Sequence, residues 1–281
     1  MFRIVTDGAV DLPEEWYQEY DIQRIPINVH FGEEKTYIQD ELSLDEFYEL
    51  VDSKKLPHPK TSQPSPHQFA EFYKKIAKPG DTILSIHITS KLSGTYASSV
   101  AAVEEVKDIF RVVPLDTLGG SIGTGFMCRT ARQMERAGKG VDEIVHHLES
   151  IRDKVLIILT LDTLEYARRS GRVGTLSAAL ASVLNVKPIA TLKDGVVEMV
   201  DKVRTRKAAF ERVLEMAQKT YADQPVYLGV VHARDLASGQ VLMDDAKKRF
   251  NVKDAVLTDL SISLAINFGP GTVGLVLYPA E

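Results

Sequence analysis

The sequence predicts an α/β protein in two parts. In the first half, short apolar runs alternate with amphipathic stretches of helical period, the habit of a parallel sheet with covering helices. From near residue 156 the character changes: Asp194-Gly195 stands between two strand-like runs and brings in antiparallel pairing, which marks a second layer or domain. The 281 residues are 44% hydrophobic and 26% charged, enough apolar material for one or two packed cores and unlike a disordered or collagenous chain.

In chain order, strands are expected at 2–6, 25–31, 82–88 and 111–115. Between them, helical patterns fall at 43–51, 66–76, 94–106 and 122–137, with a further one at 141–154. Ser65 before Pro66 reads as an N-cap with proline at the first helical position, and Asp11 is placed to cap a helix begun by Pro13. A buried strand follows at 155–161, then strands at 188–192 and 196–203 around Asp194-Gly195. The chain continues with a helix at 204–221, a strand at 226–231, a helix at 236–250, and strands near 255–260 and 272–277.

Charge and composition exclude several functions. A net charge of −5 argues against a broad basic face for nucleic acid. Cys128 is the only cysteine, so neither an internal disulfide nor a cysteine-based zinc site can form, and a reducing compartment fits. No apolar run approaches the roughly 18 residues of a membrane span, and Met1-Phe2-Arg3-Ile4-Val5 leads directly into a strand; a soluble, cytoplasmic protein is expected. Walker A, complete Gly-x-Gly-x-x-Gly, His-Glu-x-x-His and EF-hand patterns are all missing, so no nucleotide or metal cofactor is expected. The seven histidines are scattered, and the adjacent His146 and His147 point to different sides of a helix.

Ligands gather at strand ends in α/β folds, where helix N-termini present unpaired N–H groups. In Lys60-Thr61-Ser62-Gln63-Pro64-Ser65-Pro66 the cap at Ser65 leaves Thr61 and Ser62 free to act on a ligand. Ser93 with the amides of Gly94 and Thr95 is either a plain helix cap or an anion-accepting helix start. Gly119-Gly120-Ser121-Ile122-Gly123-Thr124-Gly125 contains Gly-x-Ser-x-Gly between strand and helix, so Ser121 with His232 offers a serine-hydrolase reading; close helix–sheet packing explains the same glycines. Asn267-Phe268-Gly269-Pro270-Gly271 is a tight turn into the last strand, and Arg168, Arg169 and Arg172 form a compact basic turn able to meet an acidic ligand.

Taken in order, these loops resemble the DegV family, whose members are similar to the fatty-acid-binding B subunits of bacterial fatty acid kinase. The resemblance runs from Ile4-Val5-Thr6-Asp7 to Gly269-Pro270-Gly271, with Thr61-Ser62-Gln63-Pro64 and Leu92-Ser93-Gly94-Thr95-Tyr96 its most specific elements. Supporting matches are Asp116-Thr117, Leu161-Asp162-Thr163-Leu164-Glu165-Tyr166, Gly171-Arg172, Lys187-Pro188-Ile189 and Lys202-Val203-Arg204-Thr205-Arg206-Lys207. It implies a DegV-like two-domain architecture: an N-terminal three-layer α/β/α domain with a mainly parallel sheet over 1–155, and a C-terminal α/β domain with a mixed sheet over 156–281. It further implies a lipid-binding carrier rather than an enzyme. A long-chain fatty acid lies between the domains with its carboxylate on Thr61 and Ser93, and Ser62, Gly94, Asn267 and Arg172 supply further head-group contacts. An ATP-dependent fatty acid kinase subunit, docking near Arg204 and Arg206, then forms the acyl phosphate for phospholipid synthesis, and transient membrane contact serves lipid exchange. The sequence departs from the family pattern in three places: Gly8-Ala9 replace Ser-Thr, Ser170-Gly171 replace paired glycines, and Asn267 replaces a histidine. Asparagine cannot become cationic or shuttle a proton, which leaves open a lipid-binding regulatory module without kinase coupling.

Overall fold

The computed structural model describes residues 1–172 and 186–280. The chain opens with β1 (Phe2–Asp7), α1 (Glu14–Glu19) and β2 (Ile22–Ile25). Two expectations are corrected at once. Pro13 itself is the N-cap of α1, with no side-chain cap, because the Asp11 carboxylate is committed to partners distant in sequence. The single strand expected over 25–31 is two: Pro26, with no N–H for a ladder, separates β2 from β3 (Asn28–Phe31). From there β3 pairs antiparallel with β4 (Lys35–Ile38) and β5 (Lys60–Ser62), a three-stranded sheet that the sequence reading did not foresee. Between β4 and β5 lies α2 (Leu44–Ser53), capped by Ser43.

The expected cap at Ser65 is present: its hydroxyl accepts from the Gln68 N–H at 3.2 Å, and α3 (Pro66–Ile76) begins with proline. Then follow β6 (Thr82–His87), α4 (Thr95–Val106), β7 (Arg111–Asp116), α5 (Ser121–Arg136) and α6 (Val141–Arg152). Strands β2-β1-β6-β7 form a wholly parallel sheet. Strand alternation makes it the middle of three layers. Ile4, Leu84 and Ile86 face Ile122, Phe126 and Met127 of α5, whereas Val5 and Ile83 face Phe69 and Tyr73 of α3 and Ala102 and Val106 of α4.

The second half contains β8 (Leu156–Thr160), α7 (Glu165–Ser170), β9 (Lys187–Lys193), β10 (Val196–Val203), α8 (Arg206–Tyr221), β11 (Pro225–His232), α9 (Leu236–Arg249), β12 (Asn251–Asp259), α10 (Ile262–Phe268) and β13 (Val273–Pro279). The six-stranded order is β10-β9-β8-β13-β11-β12, antiparallel except for the parallel pair β11 and β12. At the β9–β10 turn Asp194 and Gly195 have φ of 50° and 79°, the left-handed pair a two-residue hairpin requires. What reads as a basic turn at Arg168 and Arg169 is the last turn of α7, closed by Gly171 at φ 67°. Leu275 and Leu277 of β13 pack toward α8 and α9, while Val276 and Tyr278 join the core around α5. The two large sheets therefore share α5 as a common layer. No helix among the described residues is long and apolar enough to cross a membrane.

Candidate functional site

Six segments of the chain converge on a small cavity beside the C-terminal end of the parallel sheet. Its polar side is Thr61, Gln63, Ser93, Arg172, Ser263 and Asn267; its apolar side is Ala9, Ile27, Ile88, Leu92, Leu264 and Phe268. Thr61 arrives on β5, Ser93 on the segment before α4, Arg172 just beyond α7, and Asn267 on α10. The cavity measures about 50 Å³, far below the roughly 300–1,000 Å³ of a small-molecule pocket. A long apolar ligand entering here has to part the apolar side.

The polar groups differ in how much hydrogen-bonding capacity they hold in reserve. The Thr61 hydroxyl has no partner among the described residues. Ser93 Oγ accepts from the Thr95 N–H at 3.3 Å and lies 2.8 Å from Thr95 Oγ1. Gly94, not Ser93, is the N-cap of α4, and Ser93 sits one residue outside it. Asn267 donates one amide hydrogen to the Ser263 carbonyl at 2.6 Å and keeps a second hydrogen and its oxygen. Arg172 donates to the Ser170 carbonyl at 3.0 Å, which uses one of five guanidinium donors.

Four residues singled out from the sequence thus meet: Thr61, Ser93, Arg172 and Asn267. Gly94 is adjacent without lining the cavity; a Cβ there would stand 2.6 Å from Gln63 Nε2, so its bare backbone lets Gln63 reach the site. Ser62 is turned away. Residues alternate along β5, and its hydroxyl meets His30 Nε2 at 2.8 Å instead. Gln63 and Ser263 were not anticipated as site residues. The period-two spacing of Thr61 and Gln63 is a usable signal for the first; the second depends on α10, which has none.

The other motif residues are engaged elsewhere. The Ser121 hydroxyl, 5% exposed, donates to Asp11 rather than to a histidine, and His232 lies at the end of β11 with Nδ1 3.2 Å from Asp259. Ser121 is therefore not paired with His232 as the serine–histidine arrangement of a hydrolase would have it. Asp11 also accepts from the Ser261 N–H at 2.7 Å, at the start of α10; burial pushes its carboxyl up to about 6. Arg206 donates to the Gly271 carbonyl at 2.6 Å and to Asp162 and Asp235 at 3.1 and 3.3 Å, so it fastens the Gly-Pro-Gly turn, whereas Arg204 is exposed.

A family model described as the DegV family matches residues 1–280. A DegV domain-containing protein of Streptomyces coelicolor is 33% identical over 276 residues, 98% of this chain and 97% of that one. Among solved structures, a DegV family protein from Thermus thermophilus described by its fatty acid binding superposes with a TM-score of 0.90 at 30% identity, covering 99% of each chain. DegV of Bacillus subtilis, described as a fatty acid binding protein, superposes with a TM-score of 0.88 at 28% identity, again over 99% of each chain.

Proposed function

The chain belongs to the DegV family, and from that premise we propose that it is a fatty-acid-binding carrier that holds a long-chain acyl group between its two halves, divided near residue 155. The observation that carries this reading is the meeting of Thr61, Ser93, Arg172 and Asn267 at one cavity whose other wall, among the described residues, is apolar. Such a site has a polar end for a carboxylate and an apolar end for a tail. Supporting it are the two relatives of known structure described as binding fatty acids.

Magnitudes divide the labour. Each buried methylene contributes about 0.8 kcal/mol, so a long chain offers roughly 10 kcal/mol of gross transfer energy before immobilisation costs. Each hydrogen bond to the carboxylate adds about 1.5–3 kcal/mol. The tail sets affinity, and Thr61 and Ser93 set where the acid group is presented. An ATP-dependent kinase then takes the presented carboxylate to an acyl phosphate, docking beside exposed Arg204, and transient membrane contact exchanges the lipid; the carrier itself performs no chemistry. Asn267 supports a second reading in which lipid binding persists without kinase coupling, since an amide cannot supply the charge of an imidazolium.

Native mass spectrometry of the purified protein, followed by lipid extraction, tests the proposal. A bound long-chain fatty acid is expected. Apo protein that also takes up none from palmitate-loaded vesicles refutes it.

A further inference from the structure

The head-group cavity is shaped by a carboxylate that never reaches it. Asp7 ends β1 with its side chain wholly buried. A carboxylate removed from water persists only where donors replace the water, and Asp7 has three. Oδ1 accepts from the Ala9 N–H at 2.9 Å, and Oδ2 accepts from the Ile88 N–H at 3.1 Å and meets His87 Nδ1 at 3.0 Å. Ala9 and Ile88 both line the cavity, one from the loop after β1 and one from the loop after β6. Ala9 is held from its other side as well, its carbonyl accepting from the Ser121 N–H at 3.1 Å.

Behind the carboxylate runs a buried chain of side chains. His87 Nε2 lies 2.7 Å from Ser85 Oγ, Ser85 Oγ lies 2.8 Å from the Tyr73 hydroxyl, and that hydroxyl lies 2.8 Å from Ser99 Oγ. All are fully buried. With Nδ1–H assigned to the Asp7 side by the network, each group donates toward the carboxylate, and each bond polarises the next. None of the five side chains borders the cavity; they act on a ligand only through Ala9 and Ile88.

We propose that Asp7 is the positioning residue of the head-group site, setting where a bound carboxylate sits by fixing Ala9 and Ile88, with His87 and the Ser85-Tyr73-Ser99 chain fixing Asp7 in turn. This rests on the fatty-acid-binding reading and deepens it. Asp7→Asn is nearly isosteric, but either orientation of the amide sets an NH₂ against one of the two backbone N–H donors. The backbone at Ala9 or Ile88 must then shift, while Ile27, Leu264 and Phe268 on the same apolar side have no bond to Asp7 and stay.

The test compares uptake of palmitate and of the equal-length primary alcohol from phosphatidylcholine vesicles, alongside circular dichroism. Expected for Asp7→Asn is at least a tenfold loss for the acid with the alcohol within twofold of wild type. Equal losses for both ligands reveal a merely structural role and overturn the proposal, as does unchanged uptake of both. Should Asp7→Asn fail to fold, Ser85→Ala, which deprives His87 Nε2 of its partner, is expected to lower acid uptake about threefold and alcohol uptake not at all; no selective loss there overturns it too. Wild-type protein that takes up neither ligand refutes the carrier reading and this inference with it. Wild-type uptake with an unselective variant refutes this inference alone.

Discussion

Asp11→Asn should make the protein more stable at alkaline pH and leave it nearly unchanged in acid. The wild-type carboxyl is raised from 3.8 to about 6, chiefly by burial, and nearby Asp259 pushes the same way against the hydrogen bonds of Ser121 and Ser261. Folding therefore favours the protonated acid. Its contribution is complete below pH 3.8 and is lost as pH rises through about 6. A tenfold change in proton affinity corresponds to about 1.4 kcal/mol, so at pH 8 the ionised side chain costs the fold about 3 kcal/mol, shrinking to less than about 1 kcal/mol at pH 4. Asparagine is neutral throughout and keeps both contacts: its oxygen accepts from the Ser261 N–H, and its NH₂ donates to Ser121 Oγ, whose hydrogen is free to rotate. Urea unfolding of both proteins from pH 4 to 8 reads the difference directly. An advantage of about 2–3 kcal/mol at pH 8 that fades toward pH 4 is expected. A gap that does not vary with pH, or an asparagine variant that is weaker at pH 8, refutes the reasoning.

Three further outcomes follow from the geometry. Thr61→Ala and Ser93→Ala should each lower fatty acid affinity by about 1.5–3 kcal/mol, roughly ten- to a hundredfold; vesicle uptake by the double variant equal to wild type would remove both from the head-group site. Gly94→Ala should leave thermal stability almost unchanged, because the atom its Cβ meets at 2.6 Å is the far end of the Gln63 side chain, yet should alter acid binding by pushing Gln63 off the cavity; uptake assays beside a melting curve check both. Arg206→Ala should destabilise by about 1–3 kcal/mol in a denaturant melt, since it strands the Gly271 carbonyl and takes one partner from each of Asp162 and Asp235, while Arg204→Ala should not.

Local chemistry was legible where neighbours in sequence decide the outcome. Ser65-Pro66 caps a helix and Asp194-Gly195 turns a hairpin in any context that offers the chain. Tertiary partners decided the rest. Asp11 has the spacing of a cap, but the amide of Ser261, 250 residues away, and the hydroxyl of Ser121 claim its oxygens. The run 25–31 has strand composition throughout, and only the missing N–H of Pro26 hints that the chain there changes sheet. Helix α10 is nearly all buried, Ile262 to Ile266 and Phe268 included, so it shows no polar face by which a period could be recognised. Two residues that line the cavity, Ser263 and Asn267, sit on that helix. Thr61 stands out in the sequence because the cap at Ser65 does not account for it, whereas Ser93 reads equally well as a plain cap, and Ser62, expected on a loop, lies on β5, where alternation turns its hydroxyl to His30.

Helix α5 touches β1 and β6 of one sheet and β11 and β13 of the other. Its Gly123 and Gly125 admit Val155, Ile157 and Leu12 so closely that a Cβ at either position would stand 2.8–3.2 Å from them. A shared layer packed this tightly ties the two large sheets together. The halves cannot swing apart like a clamshell without breaking one continuous core, and they should melt in a single cooperative transition rather than one after the other. If the chain is the carrier proposed above, entry of its ligand is then expected to be a local event at the segments around Thr61, Ser93 and α10, with the sheets behind them staying still.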